Sequence, residues 1–284
     1  MSARLPKIRR PFVPEYTAKE IREITAKHTE WERSPMFDEP AQTRALAGRT
    51  FFVYVDEKHL YTYHIGSTPQ VRWRLNDGPE TTAYAKIYQL NAHIYFLLFL
   101  DPGDPAPRFH GVILDEQSKM VTLIHTHLGT DLSSREAAPC YRFGALAQNG
   151  RPLTEKRQDY TTDLVGRAIR WRYHQGEGFA NQVTHYYVRE NHYMYDFPGN
   201  PDFKGYAMMF SCDYIKIAPE VYLFVWVEYP GGPGIQGVVL MDLAQMHDIG
   251  AFYGINRAGR FETYPITAHG EFVPIFDGQD ALRD

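Results

Sequence analysis

The 284-residue chain is 44% hydrophobic and 23% charged, and its 30 basic and 34 acidic residues leave a formal net charge of −4. That is the composition of a soluble globular protein: it offers no basic face for nucleic acid or an anionic membrane, and its apolar runs are much too short to cross a bilayer. Aromatic residues are frequent, with 20 Tyr and 17 Phe, as in β folds that fill or line a barrel with rings.

The first residues are basic, with Lys7, Arg9 and Arg10, but no apolar stretch follows, so no secretory signal is read. Cys140 and Cys212 lie far apart, and a cytoplasmic chain with free thiols is expected. Thr17 and Glu20 have the spacing of a capping box ahead of a stripe of Ile21, Ile24 and Trp31, which predicts a helix. A second short helix is predicted from Asp38, with Pro40 in its first turn, ending before Gly48. Residues 1–46 are thus read as a helical extension.

From Thr50 the pattern changes to strands at 50–55, 60–65, 71–75, 82–90, 93–100, 108–114 and 120–128, separated by turn formers such as Asn76-Asp77-Gly78. Short strands with no helical pattern between them predict an antiparallel barrel over 47–130. Residues 131–163 are polar and broken by Pro139, Gly150 and Pro152, and are read as a connection. Strands resume at 167–173, 182–189, 192–197, 205–210, 213–217, 222–229, 236–243, 248–256 and 259–264, a second barrel over 164–276. A tail covers 277–284.

The run Tyr222-Leu223-Phe224-Val225-Trp226-Val227-Glu228 places Tyr222, Phe224, Trp226 and Glu228 on one face of a strand. A carboxylate at the end of an aromatic face lining a cleft keeps its proton near neutrality and can act as a general acid. The plainer reading, a solvated carboxylate beside the Pro230-Gly231 turn, stays open. A similar run ends at Asp101: Tyr95 matches Tyr222, Phe99 matches Trp226 and Asp101 matches Glu228. Ala47-Gly48-Arg49 likewise matches Val165-Gly166-Arg167, and Gly111-Val112-Ile113-Leu114 matches Gly237-Val238-Val239-Leu240. Three matches in one order indicate an internal duplication, and hence two similar domains.

Leu164-Val165-Gly166-Arg167, Trp171-Arg172-Tyr173, Trp226-Val227-Glu228 and Phe261-Glu262-Thr263-Tyr264-Pro265 resemble the phenolic acid decarboxylases, lipocalin-like (calycin) β-barrels that act without a cofactor. The tandem arrangement resembles the molybdenum-cofactor-biosynthesis protein F (MoaF) family, whose members carry two such barrels. The resemblance implies an all-β fold of two lipocalin-like barrels and no cofactor. It also implies Glu228 as proton donor, Tyr173 holding a phenol oxygen, and Lys204 as the nearest cation for a carboxylate. Trp171, Trp226, Tyr195, Tyr206 and Phe224 are the expected substrate contacts. Trp171 stands where the decarboxylases have a phenol-holding tyrosine, and the first copy has Val53 and Val55 at both such positions.

Two functions follow as expectations. One is a cofactor-independent, decarboxylase-like lyase acting on a small phenolic or unsaturated acid in the second barrel; the other is an accessory barrel that binds a small ligand without transforming it. A small aromatic or apolar carboxylic acid is the expected partner. Neither nucleic acid nor membrane is an expected partner, and a homodimer is left open. His125-Thr126-His127 puts two imidazoles on one strand face, with Asp115 or Glu116 as further donors, but these are read as rim histidines and no metal is expected. Cys212 is read as a buried, inert thiol.

Overall fold

Gly48 and Gly166, the glycines of the repeated triplet, both adopt left-handed backbone, with φ of 74° and 84°. There a side chain is strained and glycine is not. Each amide donates to a strand that follows, Gly48 to Ile65 and Gly166 to Tyr187, while Ile65 and Tyr187 donate back to Arg49 and Arg167. The same turn therefore starts each half of the chain. The computed structural model describes residues 16–34, 36–129, 137–173, 182–198, 206–228, 234–256 and 258–275.

In the first half β1 (Thr50–Asp56), β2 (His59–Ile65), β3 (Gln70–Leu75), β4 (Thr81–Gln89), β5 (Ile94–Asp101), β6 (Arg108–Asp115), β7 (Met120–Leu128) and β8 (Ala137–Gln148) pair antiparallel in chain order. β1 pairs back onto β8, Val53 against Leu146, and closes the barrel. β9 (Arg151–Pro152) folds back on β8, and β10 (Asp159–Tyr160) joins the second sheet. There β11 (Ala168–Arg172), β12 (Gln182–Arg189), β13 (His192–Asp196), β14 (Ala207–Ala218), β15 (Val221–Val227), β16 (Gln236–Asp242), β17 (His247–Ile255) and β18 (Phe261–Phe272) form a second closed ring of eight. The fold is thus two antiparallel eight-stranded β-barrels in tandem, and the described residues are almost all-β, with one short helix near the N-terminus.

Several strands differ from the sequence reading: β18 runs on to Phe272 where that reading ends at Tyr264, and the short β9 and β10 fall in the stretch read as a connection. Residues 137–148, inside the stretch read as a connection, form β8 and complete the first barrel. Its side chains are mixed and partly exposed, so alternation is faint there, and Pro139 sits where Thr126 on β7 pairs with it. The stretches read as two strands from 207 to 217 are one continuous strand, β14.

Alternation along the strands sorts the apolar residues into three clusters. One fills the first barrel with Phe51, Tyr61, Tyr63, Tyr95, Leu97 and Phe99. Another fills the second with Trp171, Tyr187, Tyr193, Tyr222, Phe224 and Trp226. The third lies outside both barrels and joins them: Phe96, Leu98, Ile113 and Ile124 meet Leu223, Val225, Val238, Leu240 and Ile249. β5 and β15 are therefore buried on both faces, which explains why their sequences are continuous apolar runs. Polar bonds flank this interface, from Thr126 Oγ1 to Gln236 Oε1 at 2.5 Å and from the Tyr141 hydroxyl to Asp213 Oδ2 at 2.9 Å.

The N-terminal segment straps the two barrels together. α1 (Ala18–Thr25) carries the predicted capping box and buries Ile21 in the joining cluster. It stops before Trp31, which lies in extended chain with its ring edge-on to Phe109 at 5.6 Å. The helix predicted from Asp38 does not form. Its backbone bonds to barrel edges instead: Asp38 N donates to Tyr173 O, Thr267 N to Asp38 O, and Thr43 N to Ile87 O. Glu39 accepts from Lys86 at 2.7 Å and from Tyr88 at 2.9 Å.

Candidate acid site in the second barrel

In the antiparallel ring, the C-terminal ends of β11, β13, β15 and β17 share one rim, and Glu228 stands there directly after β15. Trp226 and Phe224 precede it on the same inward face, stacked at 4.9 Å and 23°. The sequence alternation placed these rings correctly because β15 has no bulge over this stretch: its partners on β16 run without a break from Val221 to Val227. The indole Nε1–H of Trp226 donates to Glu228 Oε1 at 3.4 Å, and the Glu228 amide donates to Ile235 O at 3.0 Å.

Glu228 is half-buried at the rim, and the dense packing around its carboxyl pushes its pKa from 4.5 up to about 7, with the nearby Glu262 adding repulsion. Tyr193, Tyr195 and Tyr264 lie close enough to feel the charge of Glu228, and each phenol is pushed up mainly by its own burial. All three therefore remain neutral hydrogen-bond donors at physiological pH. Tyr264 donates to Glu262 Oε2 at 3.2 Å, which holds that second carboxylate at the rim.

Deeper in the barrel the fully buried Trp171 donates from Nε1 to the Tyr187 hydroxyl at 3.4 Å, and Tyr187 donates to Met241 Sδ at 3.4 Å. The Tyr173 hydroxyl donates to Asp248 Oδ2 at 3.4 Å. Asp248 is completely buried, its Oδ1 has no hydrogen-bond partner among the described residues, and burial drives its pKa well up. His185 is enclosed by Tyr187, Tyr193, Phe224 and Trp226, and burial lowers its pKa to about 3, so it is neutral.

Of the residues expected from sequence, Tyr173, Trp171, Tyr195, Phe224 and Trp226 come together inside the second barrel with Glu228 at its rim. Tyr206 is exposed and donates to Met208 Sδ at 3.0 Å. Lys204 lies outside the described residues. Tyr193, His185, Asp248 and Tyr264 went unselected, although the inward face of Tyr195 also carries Tyr193, and alternation back from Phe252 reaches Asp248. Phe37 had no signal at all. It leaves the N-terminal strap to pack on Tyr173, Phe252 and Tyr264, with centroids at 5.6, 5.4 and 5.7 Å.

The matching acid of the first barrel has different partners. Asp101 accepts from Arg108 at 2.5 Å and from Trp73 Nε1 at 3.2 Å. His125 and His127 share one side of β7, whose register with β8 is unbroken, but not their surroundings: His125 meets His110, with 3.1 Å between the Nε2 atoms, while His127 is exposed. No group of three or more His, Cys, Asp or Glu side chains able to hold a metal occurs among the described residues. Cys140 and Cys212 are both free, the first exposed and the second buried. No helix among the described residues is long and apolar enough to cross a membrane.

Two domain families match the chain, the MoaF N-terminal domain over residues 37–130 and the MoaF C-terminal domain over residues 158–274. The chain belongs to the MoaF family. The Protein MoaF of Klebsiella aerogenes is 28% identical to it over 253 residues, which cover 82% of this chain and 88% of that one. The C-terminal MoaF domain includes every residue of the acid site described above except Phe37, which falls at the start of the N-terminal match.

Proposed function

We propose that this MoaF-family protein is a cofactor-independent lyase that removes carbon dioxide from a small phenolic or unsaturated carboxylic acid at the rim of the second barrel. The observation that carries this reading is Glu228: a carboxyl tuned to about 7 at the end of an aromatic wall, bonded to Trp226 and facing neutral tyrosines. A para-hydroxycinnamate needs no metal for this chemistry. Proton transfer from Glu228 to the alkene carbon bearing the carboxylate, with loss of the phenol proton, gives a quinone methide. Breaking the bond to the carboxylate then releases carbon dioxide, returns its electron pair to the alkene and rearomatises the ring as the phenol oxygen regains a proton. Glu228, left as the anion, recovers its proton from water. The Tyr173–Asp248 pair is the candidate holder of the phenol, and Lys204 the candidate partner of the carboxylate.

The test is carbon dioxide release from coumaric, caffeic and ferulic acids by wild type and by Glu228→Gln. The reading expects turnover by wild type and a loss of about 10²–10⁴-fold on removing the general acid. Absence of wild-type turnover, or an unimpaired Glu228→Gln, rejects it.

A non-catalytic carrier is the second reading, favoured by the lost phenol-holding positions: Trp171 stands in place of one tyrosine in the second barrel, and Val53 and Val55 stand in place of both in the first. Mass spectrometry of the protein as purified separates the two, because a carrier retains its ligand and a lyase releases its product.

A further inference from the structure

The two barrels differ most in what their matching inward positions carry. Pairing registers set Val53, Val55, Ala83 and Ala85 of the first barrel against Trp171, Tyr173, Phe210 and Cys212 of the second. Where the second barrel packs rings, the first has small aliphatic side chains. Its polar groups sit on the facing strands, with His110 and His125 where the second barrel has Gly237 and Phe252, and Arg142 where it has Ile266.

Arg142 lies on the inward face of β8 with Leu146 and is half-buried; burial raises the Tyr61 phenol, and the nearby Arg142 charge offsets part of that rise. Its Nε is buried with no acceptor, and no carboxylate among the described residues forms an ion pair with it. Asp101 is engaged by Arg108 and Trp73, and Asp56 by His59 at 2.7 Å and the Lys58 amide. A buried guanidinium N–H without an acceptor is costly, and a bidentate carboxylate is its natural complement. Beside it, His110 Nε2 lies 2.9 Å from the Tyr63 hydroxyl and 3.1 Å from His125 Nε2. Burial lowers the pKa of both imidazoles, helped at His110 by His125 and Arg108 and at His125, which falls to about 4, by Arg142 and Arg108, so they stay neutral. Arg108 is paired with Asp101, so Arg142 is the positive charge left facing the neutral histidines, and it disfavours a cation and favours an anion. Tyr61 and Trp73 stack at 6.3 Å and 24°, providing flat apolar walls.

We propose that the inner face of the first barrel, around Arg142, Tyr61 and His125, binds a small planar organic carboxylate at a site separate from the acid site of the second barrel. The guanidinium takes the carboxylate, Tyr61 and His125 add hydrogen bonds, and Trp73 covers the ring.

Isothermal titration of the full chain with benzoate and with its neutral isostere benzamide tests this. Benzoate binds, and benzamide binds at least about tenfold more weakly, as loss of a charge-assisted bond requires. Arg142→Gln weakens benzoate about 10–100-fold, and Arg142→Lys, which keeps the charge, restores part of the loss. The loss caused by Arg142→Gln is the same in a Glu228→Gln background, which separates this site from the lyase reading. Circular dichroism verifies that each variant is folded; if Arg142→Gln is not, His125→Gln takes its place, with about a tenfold loss expected. No binding of benzoate, equal affinity for benzamide, wild-type affinity in a folded Arg142→Gln, or disappearance of the Arg142 dependence in a Glu228→Gln background overturns the proposal.

Discussion

Phe37 and Tyr264, 227 positions apart in the chain, stack with centroids 5.7 Å apart and planes 18° apart, so a residue of the N-terminal strap covers the rim at which Glu228 stands. The strap is tied to the first barrel two residues later, through Glu39. Phe37→Ala removes contacts with three rings. It is expected to cost about 1–3 kcal/mol, below the usual range for a fully buried Phe because Phe37 is half-exposed, and to make the Trp226 emission easier to quench with acrylamide. Unchanged quenching means that Phe37 does not shield the rim.

Gly237 lies under the Trp226 indole, and an added Cβ would come 2.1 Å from Cζ2 of that ring. Gly237→Ala forces the indole off its wall and its nitrogen away from Glu228. A loss of about 1–3 kcal/mol is expected, as for other overpacked cores, together with a shift in tryptophan emission. A urea midpoint equal to that of wild type contradicts the packing described.

The shared apolar cluster makes the two barrels one folding unit. Val225, 1% exposed between them, is expected to lose about 3 kcal/mol or more as Val225→Asp, through burial of an unpaired charge. Wild type is expected to unfold in a single calorimetric transition. Two separate transitions in wild type reject the shared core.

The buried imidazoles set the acid limb of stability. His185 is lowered to about 3 and His125 to about 4, so the unfolded chain binds protons that the folded chain refuses. Their contribution is fully present above about 6.5 and is lost as pH falls through that window, at about 1.4 kcal/mol per unit for each group. His185→Phe keeps a ring in place and removes one titration. Its urea midpoint is expected to fall less steeply between about pH 6 and about pH 4 than that of wild type, and parallel acid limbs contradict the assignment.

Much of this was legible in the sequence where side chains alternate without interruption. The repeated Gly48 and Gly166 turns, the paired runs ending at Asp101 and Glu228, and the inward set Phe224, Trp226 and Glu228 follow from period-two patterning and duplication. β8 stayed hidden because its outward face joins the second barrel through Tyr141 and Phe143, which blurs the alternation. Asp248 and His185 were hidden for another reason, since an acid or an imidazole in a strand reads as solvent-facing until its neighbours show it enclosed. Phe37 belongs to a segment whose conformation is set by barrel edges distant in sequence, so nothing local marks it.

Glu228 also titrates with the opposite sign to the imidazoles. Folding raises its carboxyl from 4.5 to about 7, so the stability it contributes is present below about 4.5 and is lost as pH rises through 7. The proposed proton transfer requires this carboxyl to stay neutral among the rings, and its own titration is the sharpest check. Carbon-13 NMR of the full chain with labelled glutamate carboxyls, compared with Glu228→Gln, is expected to show one resonance that disappears in the variant and titrates with a midpoint near 7. A missing resonance that titrates at the ordinary carboxylate value of about 4.3 would contradict the account, because a carboxylate ionised throughout the neutral range has no proton to donate.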